Sequence, residues 1–252
     1  MYKLITLNIE GDRHVDTVIS FLREQNADII CLQEVYEPTV SILREALGEK
    51  YSAYFEPICL HNDHDASVVP RPLGMVLFSR VPIREKHVHT IYSPHPSLQL
   101  QKMNTVRDTT RTLIQKIELD DKYGTTICNT HFTWSPRGEA SENQRVDVNA
   151  LISMLDSIPH FVLCGDFNIP RGNIHYQTLR THFTDHIPAT VTCSLDMTIH
   201  KAKHDPIEKV RVSGFMVDYI FSKPNTYTVT DVAQHCGMSD HCAFSAHIEK
   251  IS

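Results

Sequence analysis

Polar side chains collect where apolar runs end in this chain. Asn8, Glu34, His131, Asp166, Asn168, Asp240 and His241 follow such runs, Asp218 sits inside one, and Arg111 opens another. A single Asp or Asn in such a place is an ordinary turn former. Acids, amides and imidazoles recurring at several strand ends imply one cleft, provided the strands lie side by side. Cys164-Gly165-Asp166-Phe167-Asn168 makes the point most sharply. It ends the apolar run Phe161–Leu163, and residues two apart in an extended chain face the same side. Asp166 and Asn168 therefore project together, while Gly165 permits a turn or a close backbone approach.

That residue set suits hydrolysis of a phosphate ester. Glu34, with Asn8 or Asp240, supplies hard oxygen ligands for Mg²⁺, or for Mn²⁺. The Cys and His spacing typical of zinc sites is missing. A metal and neutral or positive donors would stabilise phosphoryl charge, and a carboxylate or carboxylate–His pair would activate water. Asp218, inside an apolar run, needs a partner, and the His241 imidazole would satisfy it.

The elements that must position these groups alternate along the chain. Lys3–Ile9 and Asp28–Leu32 read as strands, with a helix over His14–Glu24 between them. Thr39–Leu47 reads as a helix stopped by Gly48. Tyr51–Phe55, Gly74–Phe78 and Arg84–Ile91 read as strands. Arg111–Leu119 and Thr125–Asn129 form a hairpin about Tyr123-Gly124. Glu142–Leu155 is a helix, Asn173–Leu179 is ambiguous, and Phe215–Phe221, Tyr227–Ala233 and Ala243–Ile248 are strands. Cys59–Leu73, the lid-length Ser93–Thr110 and the polar Thr192–Val212 are expected as loops. Strands interleaved with helices, without a linker or repeat, predict one α/β domain over residues 1–252.

The 252 residues are 41% hydrophobic, enough for a large core, and carry a formal net charge of -6. That balance argues against indiscriminate binding to nucleic acid. Seven cysteines include no C-x-x-C pair, and Cys31, Cys128 and Cys164 lie in apolar runs. Buried thiols in a reducing compartment are expected, not a disulfide framework. The opening residues enter a strand pattern without a secretory leader, and no run approaches a membrane span. A cytoplasmic monomer is the expectation.

Thr6-Leu7-Asn8, Leu32-Gln33-Glu34, Asn129-Thr130-His131, Gly165-Asp166-Phe167-Asn168, Val217-Asp218-Tyr219-Ile220 and Ser239-Asp240-His241 resemble the ordered motifs of the endonuclease/exonuclease/phosphatase superfamily, which includes deoxyribonuclease I and exonuclease III. The resemblance runs from residue 6 to 241. It implies a four-layer α/β (α+β) sandwich, two mostly antiparallel sheets flanked by helices, with the site at one end. It implies that Glu34 is the principal metal ligand with Asn8 nearby, and that Asp240 sits beside the metal or the water. Asp166 would orient or deprotonate the attacking water and Asn168 would contact phosphate. His131 and His241 would be donors to phosphoryl oxygens, with His241 held by Asp218, and Arg111 would face phosphate. Asn8-Ile9-Glu10-Gly11 and Pro136-Arg137-Gly138 are similar to the 5′-tyrosyl-DNA phosphodiesterase branch.

The expected substrate is a phosphodiester in nucleic acid or linked to a nucleotide. A phosphoinositide or sphingomyelin-type phospholipid is the alternative, and an inactive binding module on the same scaffold is a third reading. His61–Asp65 has metal-like composition but is expected to be a solvated loop. His200–Arg211 precedes the Phe215 strand, which brings it near the cleft, and Trp134 either stacks on a ring of the substrate or caps the core.

Overall fold

The computed structural model describes residues 1–102 and 106–251. Residues 103–105, part of the expected lid-length segment, and residue 252 lie outside the described residues. The chain opens with β1 (Tyr2–Asn8), α1 (Val15–Gln25), β2 (Ile29–Tyr36) and α2 (Glu37–Leu47), followed by β3 (Ser52–His61), β4 (Arg71–Ser79) and β5 (Ile83–Tyr92). A short α3 (Val106–Thr109) leads into β6 (Thr112–Leu119) and β7 (Thr126–His131). Then come α4 (Glu142–Asp156), β8 (Val162–Asp166), α5 (Ile174–His182) and the two-residue β9 (Thr184–Asp185). α6 (Pro206–Val212), β10 (Asp218–Ser222), β11 (Tyr227–His235) and β12 (Ala243–Lys250) complete the order.

These strands form two six-stranded sheets, ordered β11-β12-β1-β2-β4-β3 and β5-β6-β7-β8-β10-β9. The pairs β1/β2 and β7/β8 are parallel, and the other neighbours are antiparallel. Each parallel pair needs a crossover helix, supplied by α1 and α4. Two mixed sheets flanked by helices make the expected four-layer sandwich.

The central strands β1, β2, β8 and β10 are buried on both faces because each sheet is covered twice there. In β1, Ile5 and Leu7 join the cluster with Val18 and Leu22 of α1 and Leu43 of α2. Leu4 of the same strand belongs instead to the cluster with Ile114, Ile127, Val162 and Cys164 of the second sheet. Alternation then carries Thr6 and Asn8 onto the inter-sheet face along with Leu4. In β8 the row Val162, Cys164, Asp166 does the same, which is how Asn8 Nδ2 comes to donate to Asp166 Oδ2 across the sandwich at 3.2 Å. Below that contact a chain of buried amides links the sheets. Gln33 Nε2 donates to Asn129 Oδ1 at 2.7 Å, and Asn129 Nδ2 donates to Gln115 Oε1 at 3.0 Å. Gln115 Nε2 in turn reaches the Tyr54 and Met75 carbonyls of the first sheet.

Several expectations are corrected. The loop expected over Cys59–Leu73 is shorter, because Cys59, Leu60 and His61 pair with Leu73, Pro72 and Arg71. β3 is an edge strand, where Pro57 forfeits no needed ladder bond. Asn173–Leu179 resolves as α5, whose Asn173 side chain accepts from the His175 amide. Within Thr192–Val212, Lys201–His204 forms a 3₁₀ turn and Asp205 caps α6 through the Ile207 and Glu208 amides. The expected Phe215–Phe221 strand begins only at Asp218, since the Met216 and Val217 carbonyls accept from Arg171 and Phe167. Asp218 thus opens its strand instead of lying inside it. The all-thiol expectation also fails at one place. Cys31, Cys59, Cys128 and Cys164 are buried and free, but Cys236 and Cys242 form a disulfide because the intervening turn returns their Cα atoms to 4.4 Å. No helix among the described residues is long and apolar enough to cross a membrane.

Gly165 is required by contact as well as by conformation. Its φ is +138°, and a Cβ there would stand 1.9 Å from the Thr130 carbonyl oxygen of β7. Gly165→Ala should cost about 3 kcal/mol or more, a fall in Tm of about 6–12 °C. Gly172, with open space around it, should tolerate alanine within ~0.5 kcal/mol. Thermal and urea unfolding of the two variants check this, and equal effects would remove the close-approach explanation.

Candidate active site

The sheet topology brings the polar strand ends together. β1 and β2 are parallel, as are β7 and β8, so Asn8 pairs beside Gln33 and His131 beside Asp166. β10 and β12 run the other way and begin where those strands end, so Asp218 pairs opposite Asp166 and His241 lies two residues before β12. The carboxyl ends of parallel strands are where α/β sheets commonly place ligands. A cavity of about 630 Å³ opens there, lined among others by Glu10, Glu34, His131, Asp166, Asn168, Asp240 and His241.

Asp166 is the centre. It is 2% exposed. Its Oδ1 accepts from the Asn168 amide at 2.8 Å. Its Oδ2 accepts from Asn8, and it stands 3.7 Å from His131 Nε2 and 3.9 Å from His241 Nε2. Asn168, held at φ +55°, donates from Nδ2 to the Phe132 carbonyl at 3.0 Å. Glu34 also has a left-handed backbone, at φ +53°, where the β2/β4 register slips between Leu32 and Val35. A bulge of this kind re-aims a side chain, and here the Glu34 carboxylate lines the cavity without a hydrogen bond among the described residues. It approaches His131 Nε2 to 3.7 Å. His131 Nδ1 is buried and has no hydrogen-bond partner among the described residues.

Asp218 and His241 form the expected pair, Nδ1 to Oδ2 at 2.8 Å. Burial opposes a charge on His241, but Asp218 and then Asp166 outweigh it and hold the imidazole well above its ordinary pKa. His241 is therefore an imidazolium near neutrality, anchored at Nδ1 and presenting Nε2–H to the cavity. Asp240 carries the opposite strain. Burial, with Glu10 and Glu34 adding to it and His241 opposing, pushes its carboxyl up to about 7.

These residues fit a hard divalent cation. Glu34 is a carboxylate without a hydrogen bond among the described residues, Asp240 is a buried carboxyl whose ionisation its acidic neighbours resist, and an Asn8 amide stands at the same strand end. A cation among them would relieve the repulsion that raises Asp240. Asp166, Asp218 and His241 also bring ligand atoms within 4.8 Å of one another, but an imidazolium protonated on both nitrogens donates and does not ligate.

Two expected site residues lie beneath the cavity wall, Asn8 behind Asp166 and Asp218 behind His241. Arg111 stands aside. Its Nη2 donates to the Pro96 carbonyl at 2.7 Å, and it lines an adjoining cavity of about 160 Å³ that shares Glu34, His131, Asn168 and Trp134 with the main one. Trp134, 45% exposed, stands at the rim of both and does not cap the core. The sequence reading missed Tyr36, His61, Asp63 and His64, all on the cavity wall. His61–Asp65 is not a plain solvated loop, because the buried Tyr36 hydroxyl ties His61 and Asp63 together. Its composition was the available signal; the tyrosine that organises it lies some 25 residues earlier. His200, Lys201 and Arg211 also reach the cavity.

Comparison with known proteins gives one consistent result. The model of the Endonuclease/Exonuclease/phosphatase family matches residues 5–241. No curated protein matches the chain. Among solved structures, an endonuclease/exonuclease/phosphatase from Bacteroides vulgatus superposes with a TM-score of 0.72 at 20% identity, covering 99% of each chain. The human Nocturnin catalytic domain with bound sulfate anion gives 0.68 at 16% identity, over 99% of this chain and 93% of that one. Humanized D. rerio TDP2 gives 0.67 at 14%, over 98% of both. At these identities the structures speak to the fold alone, and the two-sheet sandwich is the fold they share. The family match spans both parallel strand pairs and every strand end that lines the cavity; the chain belongs to the Endonuclease/Exonuclease/phosphatase family, whose members are generally divalent-metal-dependent phosphoesterases and nucleases.

Proposed function

We propose that this chain is a Mg²⁺-dependent phosphodiesterase that cleaves a phosphodiester, in nucleic acid or linked to a nucleotide, by attack of water. The observation that carries the reading is the Asp166 carboxylate, fixed by Asn8 and standing within 4 Å of two imidazoles. A carboxylate so held can accept the proton of an attacking water. The His241 imidazolium donates to a phosphoryl oxygen, with Asp218 fixing its ring, and His131 donates from the other side. Asn168 orients the phosphate, and Arg111, turned to the Pro96 carbonyl, takes no part in this arrangement. Glu34 and Asp240, with Asn8, hold the metal, for which Mn²⁺ can substitute. When bound, that ion supplies Lewis-acid stabilisation of phosphoryl charge.

The cations on the cavity wall narrow the substrate. Arg13 is engaged by Glu10, Arg137 by Glu139 and Arg211 by Glu208, and Lys201 alone among the wall's lysines and arginines has no ion pair among the described residues. Paired cations do not make the continuous basic track that duplex binding uses. This supports a substrate held at one phosphoryl group, such as a strand end or a nucleotide-linked diester. One observation favours the phospholipid alternative. α6, on the cavity wall, exposes Ile207 and Val210 beside Lys209 and Arg211, and apolar side chains flanked by cations suit an anionic lipid surface.

Glu34→Ala and Asp166→Ala should each lower hydrolysis of a generic phosphodiester by at least ~10³-fold at saturating Mg²⁺. Steady-state kinetics check this, and full activity in both variants would end the reading. A panel of single-stranded DNA, 5′-phosphotyrosyl DNA, inositol phosphates and sphingomyelin vesicles separates the substrate classes. The vesicles would be preferred only if α6 docks lipid.

Asp240 gives a metal-dependent pH signature. A carboxyl whose folded pKa is raised contributes most below its unfolded value, near 3.9, and that contribution is lost as pH rises through about 7. Without metal, Asp240→Asn should therefore gain stability relative to the parent protein between pH 4 and pH 7. Added Mg²⁺ should cancel or reverse the gain. Urea unfolding of both proteins in chelator and in Mg²⁺ reads it directly. A difference independent of both pH and Mg²⁺ would separate Asp240 from the metal.

A further inference from the structure

The connection between β11 and β12 carries a feature that the proposed hydrolysis does not use. Pairing between the two strands ends at His235 and Ala243. Cys236 and Cys242 occupy the next rung and are joined by the disulfide. Between them lie residues 237–241, which include Asp240 and His241. The bridge therefore closes the base of the loop that presents both side chains to the cavity. The loop backbone is otherwise held by single contacts to an irregular segment. The Gly237 amide donates to Asp196 Oδ2 at 2.7 Å, the Asp196 amide donates to the Asp240 carbonyl at 2.8 Å, and the Cys242 amide donates to the Ser194 carbonyl at 2.7 Å. Ser194 and Asp196 belong to none of the strands or helices. Met238 is buried in the α1/α2 cluster and His241 is bonded to Asp218. These two contacts hold side chains, whereas the disulfide ties both ends of the loop.

Of the seven cysteines, Cys236 alone is exposed. Cys31, Cys59, Cys128 and Cys164 are buried free thiols, and Cys193 is half-buried with its Sγ against the Leu195 and Val212 carbonyls. A reductant in solution therefore meets one sulfur of the bridge directly, and exposed disulfides are the labile ones. The shortness of the ring points the same way. A bridge stabilises a folded chain less as the loop it closes becomes shorter. This one adds order to a loop more than stability to the fold.

We propose that Cys236–Cys242 is a reversible thiol–disulfide site whose oxidation state sets how firmly Asp240 and His241 are held at the cavity. The co-reactant is a dithiol. Its thiolate attacks Cys236 Sγ, the S–S bond breaks, and Cys242 leaves with the electron pair and takes a proton. The dithiol's second sulfur, as thiolate, then attacks the first in the mixed disulfide, and Cys236 leaves and is protonated in turn. Two electrons and two protons pass to the chain while the dithiol becomes a disulfide, and the reverse sequence restores the bridge. With the bridge closed, His241 Nε2 stands 3.9 Å from Asp166. With it open, the Cys236 end is released and both side chains lose their fixed place. The effect on catalysis rests on the proposed hydrolysis; the thiol exchange and its effect on the loop do not.

The test treats the full-length protein with dithiothreitol. Alkylation and mass spectrometry report each thiol, hydrogen exchange reports the loop, and hydrolysis of bis(p-nitrophenyl) phosphate in Mg²⁺ reports the site. Dithiothreitol should open the bridge while the protein stays folded and speed amide exchange across residues 237–241 at least ~10-fold. It should also lower kcat/KM at least ~10-fold, and re-oxidation should restore both. Cys236→Ser should match the reduced parent protein with or without dithiothreitol. A bridge that opens only when the protein unfolds overturns the site. Unchanged exchange in the reduced protein, or faster exchange with full hydrolysis, overturns it as well. If the parent protein hydrolyses the diester in neither state, the proposed function fails, and the exchange rates still decide the redox site.

Discussion

A buried carboxylate is costly unless its surroundings answer it, and Asp166 sets that requirement for this fold. It lies where the two sheets face each other, nearly without solvent contact. The Asn8 amide comes from the opposite sheet, the Asn168 N–H from the following turn, and two imidazoles from β7 and the segment leading into β12. Each donor is on a different element, so the carboxylate is satisfied only when the whole sandwich is assembled. Gly165 belongs to the same constraint. Its missing Cβ lets β8 lie against the Thr130 carbonyl and carries Asp166 to the inter-sheet face.

The amide chain below extends that logic. Gln33, Asn129 and Gln115 are fully buried polar side chains at the middle of the sandwich. An apolar trio would pack there, but it would not fix how far one sheet slides over the other. Hydrogen bonds running Gln33–Asn129–Gln115 and back to the Tyr54 and Met75 carbonyls set that position. The Asn8–Asp166 contact lies at the same level as the strand ends and needs such a register. Buried networks of this kind specify geometry when their members are satisfied.

The residues on the parallel strand pairs were legible in the sequence because strand periodicity is local. A polar residue in step with an apolar row, as Asn8 is with Leu4, declares both its face and its place at the end. The Asp218–His241 pair was legible for a chemical reason, since a charge in an apolar run demands a partner. Tyr36, His61 and His64 were not, because their association depends on an edge strand continuing past Pro57 and on two left-handed residues, neither of which leaves a periodic trace. The Cys236–Cys242 bridge was missed for a related reason. An odd count of mostly buried cysteines says nothing about a turn that closes on itself. Arg111 shows the reverse limit: it stands one residue before the strand it was expected to open, and its guanidinium turns toward the Pro96 carbonyl.

The charge pattern of the cavity follows from the same topology. The acids come from ends and beginnings of central strands, so they form the floor and are buried to different depths. The cations come from loops and short helices, so they form the rim, and most are already neutralised by acids close in sequence. Arg13 with Glu10, Arg137 with Glu139 and Arg211 with Glu208 are all of this kind. Local pairs of that sort contribute little stability at a surface, but they remove the unbalanced positive field that would draw a polyanion along the rim. At depth the positive charge on His241 is balanced by Asp218 and Asp166, which hold the proton against burial. His241 thereby presents its Nε2–H at one point beside Asp166, where the strand ends converge, and not along a groove.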